Sequence, residues 1–257
     1  MTGDDPWALL GLAGHPAGRT RPAPGAVATA LRVVEAAGSA APAGAGLTTA
    51  ALLPALGDVV PAALARHRSL GLPDDVSRAT LADVGRKVDA YGEDVDAPWL
   101  LGLLRADVVA VGRLQVERVA GAHGHALHVP EGGPLDARAV RESVARARVL
   151  VGASTCTCTS WLLDPWLVRV LPPSSGIVAF ASLFRLDELP GADRGGEPTA
   201  GDRSAARFLF RRPLEQLLEP GSPRDEEAVQ RTSLQRLALG RLRSGEHWLE
   251  PRGTWAG

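Results

Sequence analysis

Thr155–Pro165, TCTCTSWLLDP, reads as a strand that turns straight into a helix. The alternating Thr and Cys residues of Ser154–Trp161 suit extended backbone. Asp164 can accept hydrogen bonds from free backbone N–H groups, and Pro165 fits the first helical position, where its missing N–H costs nothing. A strand that breaks at Trp161 and turns directly into a helix makes an edge suited to holding a ligand. This corner sets the second half of the chain as α/β.

Working outward from it, Val111–Val119 (VGRLQVERV) has a period of two and reads as one strand, with His125–Pro130 as a second. Glu131–Leu135 is a loop, and Asp136 caps a helix to about Leu150 with Val140, Val144, Ala147 and Val151 on its buried face. Beyond the corner come a helix to about Leu171, a strand over Ile177–Leu186 and a polar loop over Asp187–Asp202. Ala206–Arg211 (ARFLFR) reads as a further strand, Val229–Arg243 as a helix, and a Trp-bearing tail follows. Strands alternating with helices in this way predict an α/β arrangement.

The first half reads differently. Asp5–Leu12 is a short turn carrying Trp7, and Gly14–Pro24 is a loop. Gly25–Ala37 is a helix closed by Gly38, and Ser39–Gly46 is a connector. Thr48–Leu70 reads as a helical pair interrupted near Gly57 and Pro61. Pro73–Asp75 opens a helix with Val76, Thr80, Val84 and Val88 on one face, and Ala97–Val111 reads as a buried helix. The expected division is a helical domain over 1–110 and a mixed-sheet domain over 111–257.

The composition narrows the function. With 45% hydrophobic residues in 257, the chain can build a real core, and a net charge of −1 gives no global field to recruit nucleic acid or a membrane surface. Lys87 is the only lysine among 28 basic residues, so abundant arginine reflects composition more than phosphate binding. No run approaches the roughly 20 apolar residues of a membrane span, and the acidic N-terminus lacks a signal-peptide pattern. Two cysteines make no disulfide framework, so a cytoplasmic location is expected.

Several stretches together resemble actinobacterial acyltransferase domain-containing proteins, which join a helical N-acyltransferase N-terminal domain to a GNAT-like C-terminal domain. They are LGLPDDV at Leu70–Val76, VGRLQVERV at Val111–Val119, HVPEGGPLDARAVRESVARAR at His128–Arg148, SWLLDPWLVRVLPPSSGIV at Ser160–Val178 and TSLQRLALGRLRSGEHW at Thr232–Trp248. The resemblance implies a sheet that splays to admit the pantetheine arm of an acyl-CoA. It also implies a pyrophosphate site at Gly132, Gly133, Leu135 and Asp136, before the helix whose N–H groups would hold the anion. Two departures stand out. The superfamily's Arg/Gln-x-x-Gly-x-Gly/Ala signature is absent, with Glu131 and Asp136 where phosphates would lie. Thr159 also stands where relatives commonly carry a His able to act as a base.

The resemblance implies an acyl-CoA-dependent transfer to a small-molecule or peptide amine by direct attack. Glu117, Glu131 and Ser160 form the candidate catalytic set, and Cys158, Thr159 and Trp161 line the acceptor pocket. Each has a plainer reading. Glu117 could pair with Arg113 or Arg118, the Gly132-Gly133 loop could be an ordinary turn, and Ser160–Pro165 could be a corner around a core Trp. Cys156 and Cys158 suit buried small hydrophobes better than a thioester or metal pair. His123, His125 and His128 straddle a loop and a strand, so no metal is expected. Tyr91 is a poor match for a general acid, and Arg236, Arg241 and Arg243 either reach a CoA phosphate or face solvent. The alternative to an enzyme is a catalytically degenerate GNAT-like binding or regulatory module.

Overall fold

The computed structural model describes residues 5–36, 46–187, 197–218 and 232–256. Gly38, most of the connector at 39–46, most of the 187–202 loop and residues 229–231 lie outside the described residues. The chain forms two compact units, one of residues 1–132 with 142–154 and one of 133–141 with 155–257.

The first unit is mostly helical. Helices α1 (Pro6–Leu9), α2 (Ala26–Glu35), α3 (Thr49–Leu52), α4 (Leu56–Ser69), α5 (Asp74–Tyr91) and α6 (Ala97–Leu104) surround a core in which Leu10, Leu56, Val59, Val84, Leu100 and Leu103 are wholly buried. Thr49–Ser69 is long and apolar enough to cross a membrane by length and composition. Its apolar side is spent in this core, through Leu52, Leu56, Val59, Val60 and Ala63. The expected helical pair is interrupted just before Gly57, at a 3₁₀ turn over Leu53–Ala55, whereas at Pro61 there is no break, since α4 runs through it. Gly57 makes room for Trp7: a Cβ there would stand 2.6 Å from the indole Nε1.

Two sequence expectations need correction here. Ala97–Val111 is not one helix: it ends at Leu104, and β1 (Val108–Val111) begins four residues on. Val111–Val119 is not one strand either. β1 pairs antiparallel with β2 (Leu114–Glu117), with Val111 opposite Leu114, so Gly112 and Arg113 form the hairpin turn. Gly112 adopts φ +60, and a Cβ there would sit 2.5 Å from Ser143 Oγ, so glycine is needed on both counts. β2 pairs antiparallel with β3 (His125–His128). Thr80 ties this sheet to α5 by accepting from Ala110 N at 2.9 Å.

The second unit holds β4 (Cys156–Thr159), β5 (Phe184–Leu186) and β6 (Arg252–Trp255), with β6 pairing antiparallel to both of the others. The final strand is the Trp-bearing tail, whose pairing with β4 lies far away in sequence. A 3₁₀ turn (Trp161–Leu163) leads from β4 into α8 (Pro165–Val170). Ile177–Leu186 is a strand only at its end. Ser175 caps α9 (Gly176–Ala181), and Phe180 fills the core. Ala206–Arg211 is not a strand. The capping box of Thr199 and Asp202 starts α10 (Ala200–Ala205), and the backbone continues as a π-helical turn over Ala206–Phe210. A six-residue apolar run fits either period, and the upstream cap decides it. α11 (Leu214–Leu218) and α12 (Ser233–Arg243) follow.

Candidate active site

In the first unit, β2, β3, α5 and α6 bring polar and aromatic side chains together. Glu117 faces β3. Its carboxylate meets His128 Nε2 at 2.9 Å, and its carbonyl meets His125 Nδ1 at 2.9 Å. The His128 ring packs edge-on against Trp99, with centroids 4.9 Å apart. An imidazole held at one nitrogen by a carboxylate is oriented for proton transfer at the other. Among the described residues no group of three His, Cys, Asp or Glu side chains that could hold a metal ion assembles.

Glu131 turns back onto α5. It accepts from Lys87 Nζ at 2.7 Å and from the Tyr91 hydroxyl, and Lys87 lies 5.4 Å from the Trp99 ring centre. Burial pushes the Glu131 carboxyl up, but the Lys87 ammonium and the two hydrogen bonds outweigh it and hold it below the usual range. A carboxylate so neutralised is a poor proton acceptor. By the same token it no longer sets a bare charge in the loop that follows. Asp83, also buried, accepts from Gln115 and from Arg86 at 2.8 Å, which completes the polar seam along α5.

The loop itself suits close backbone approach. Gly132 and Gly133 have φ +82 and +73, a conformation that favours glycine. In the second unit, Asp136 Oδ1 accepts from Ala139 N at 2.8 Å and caps α7 (Ala137–Val151), so its charge is spent on the helix end. Leu135 lies against the start of α9, where a Cβ on Gly176 would stand 2.6 Å from its carbonyl oxygen.

The corner after β4 is built around two buried aspartates. Asp164 caps α8 through Trp166 N at 2.8 Å, and its other oxygen accepts from Arg241 at 3.0 Å and Leu249 N at 2.9 Å. Asp202 accepts from Trp248 N at 2.7 Å and meets His247 Nδ1 at 2.8 Å. Between them Trp248 is wholly buried, edge-on to Trp161 and Trp166, and the Arg241 guanidinium covers the Trp166 and Trp248 rings. Arg241 thus belongs to the core. Trp161 is a core residue at this corner, Ser160 caps the 3₁₀ turn through Leu162 N at 3.1 Å, and Thr159 is exposed at the strand end. Cys156 and Cys158 are buried and form no disulfide. Burial, with the nearby Glu250 carboxylate, pushes the Cys158 thiol up to about 12.

Glu250 escapes a sequence reading, as does the bonding of His128 to Glu117. Only the tail's pairing with β4 brings Glu250 to this corner. The one local hint is the acidic residue in the Trp-bearing segment HWLEP.

A mixed-sheet domain built in this order, with a capped helix between β3 and β4, is that of a GNAT-type acyltransferase. The chain belongs to the GNAT-like C-terminal domain family, which it matches over residues 89–255, and residues 24–100 match the N-acyltransferase N-terminal domain. Among solved structures, an acyltransferase in complex with decanoyl-CoA and teicoplanin is similar at TM-score 0.74 and 27% identity, over 97% of this chain and 85% of that one. An acyltransferase in complex with CoA and 10C-teicoplanin is similar at TM-score 0.69 and 29% identity, over 90% and 75% of the two chains. A decanoyl-CoA complex gives TM-score 0.66 and 27% identity over the same shares. Among curated proteins none matches.

Proposed function

We propose that this chain is an acyl-CoA-dependent N-acyltransferase that acylates an amine on a peptide-like or glycosylated acceptor by direct attack. The observation that carries this reading is the similarity, over 97% of the chain, to an acyltransferase holding decanoyl-CoA and teicoplanin. Gly132, Gly133 and the first turn of α7 have backbone suited to an anion, which supports their assignment to the pyrophosphate. The missing phosphate signature is less of an obstacle with the Glu131 charge neutralised by Lys87 and that of Asp136 spent on its helix cap. Thr159, Ser160 and Trp161 are read as the acceptor end, with the exposed Thr159 at its edge. Direct attack fits Cys158, whose thiol stays neutral and is unsuited to form an acyl-enzyme.

The test is calorimetric titration with CoA and decanoyl-CoA, followed by mass detection of acyl transfer to a teicoplanin-type amine. Heat from both nucleotides and a decanoyl adduct on the amine are expected. The absence of CoA binding would sink the proposal. A second reading, a GNAT-like binding module without turnover, is favoured by Thr159, which cannot titrate. It predicts binding of acyl-CoA with no adduct.

A further inference from the structure

Removal of the proton from an acceptor ammonium needs a base at the acceptor end, and neither Thr159 nor Ser160 can serve near neutral pH. The structure carries a carboxylate to that end from the other side of the unit. The strap Glu246–Pro251 joins α12 to β6, and β6 runs antiparallel to β4 with Arg252 opposite Thr159. One residue further, Ser160 N donates to Pro251 O at 3.2 Å. Glu250 therefore emerges beside the Thr159–Trp161 corner, near enough to Cys158 for its charge to raise that thiol.

We infer that Glu250 is the proton acceptor for the incoming amine, set at the end of β4 by a strap that Asp164 and Asp202 fix in place. This rests on the proposed transferase reading. The backbone on either side of Glu250 is held, by Leu249 N on Asp164 at 2.9 Å and by Pro251 O on Ser160 N. One carboxylate oxygen accepts from Ser204 Oγ at 2.6 Å. The other takes no hydrogen bond from the described residues, and Glu250 forms no ion pair with them. Nearby charged groups have other partners: Asp164 with Arg241, Asp202 with His247, Arg252 with Asp187, and Arg203 with the carbonyls of Pro198 and Thr199. Burial pushes the Glu250 carboxyl above its usual range, against the Ser204 hydrogen bond, which moves it toward working pH as a base requires.

The step balances. The ammonium gives one proton to the open oxygen of Glu250, and the freed lone pair attacks the thioester carbonyl carbon. The C–N bond forms, the C–S bond breaks, and the departing thiolate takes the second proton of the attacking nitrogen. Glu250 then returns its proton to solvent.

The test follows thiol release from decanoyl-CoA against pH with two acceptors, a teicoplanin-type amine and methoxyamine, which is already neutral at neutral pH. For the basic amine, Glu250→Gln is expected to lower kcat about 10²-fold and to abolish the acid limb of the profile. For methoxyamine the loss is expected to be several times smaller. Ser204→Ala removes a bond that favours the charged carboxylate, so the acid limb should move to higher pH. An equal loss with both acceptors marks a structural role and overturns the inference. So does an acid limb that stays in place in Ser204→Ala or is lost in His128→Asn. A wild-type chain that releases no thiol overturns the transferase reading and this inference with it. An active wild type with an indifferent Glu250→Gln overturns this inference alone.

Discussion

The Arg241 guanidinium reaches the Asp164 carboxylate at 3.0 Å across 77 residues of sequence. Both side chains are nearly buried, with 9% and 2% of their surface exposed. This pair ties the start of α8 to α12, and Asp164 also holds Leu249 of the strap.

Asp164→Ala should be severely destabilising. It strands a buried guanidinium and frees two backbone N–H groups, a loss of about 3 kcal/mol or more. At this chain size that corresponds to about 2–4 °C of melting temperature per kcal/mol. Asp164→Asn keeps an acceptor and should cost less. Calorimetric unfolding of both variants checks the order.

Gly201 sits where α10 meets the strap. A Cβ there would collide with the Trp248 carbonyl oxygen and stand 2.7 Å from its carbon, and both atoms are backbone. Gly201→Ala should cost about 1–3 kcal/mol by forcing the strap away. If the strap positions Glu250, thiol release should fall in the same variant at temperatures where it remains folded. Paired melting and turnover measurements decide this.

Lys87→Met should destabilise by about 3 kcal/mol, since it leaves the Glu131 carboxylate nearly buried and without its cation. The double variant Lys87→Met with Glu131→Gln should recover part of that loss. The pH dependence has a fixed sign. Glu131 is depressed in the folded chain, so its contribution is present above the unfolded value of 4.5 and is lost as pH falls through the lower folded value. Wild type should lose stability there more steeply than Glu131→Gln. Denaturant midpoints measured from pH 6 downward check it.

Neither cysteine should react with a thiol reagent at pH 8 in the folded chain. Both are buried, and Cys158 is pushed up to about 12, so almost no thiolate exists to attack. Both should react once denaturant is added. Rapid modification of native protein would contradict the burial of β4.

Much of the scaffold is local and could be read directly. Asp164 and Pro165 announce a helix start by their own hydrogen-bonding chemistry, and both do so in the structure. Asp136 caps α7, α5 begins at Asp74, and the helical first half follows from propensity and period. The misreadings fall where a short apolar run fits two periods. ARFLFR became π-helical because α10 was already wound ahead of it, and VGRLQVERV folded at Gly112 because that residue alone could take φ +60 there.

By itself the sequence determined the starts of α5, α7 and α8 and the β4 corner, since capping and proline geometry act within a few residues. Tertiary structure alone decided what each candidate does. Glu117 found His128, Glu131 was neutralised by Lys87 from 44 residues away, and Glu250 reached β4 through a strand pairing nearly 100 residues long-range. Charges in a folded chain choose partners by distance and burial, and neither quantity is written in the spacing of residues along it.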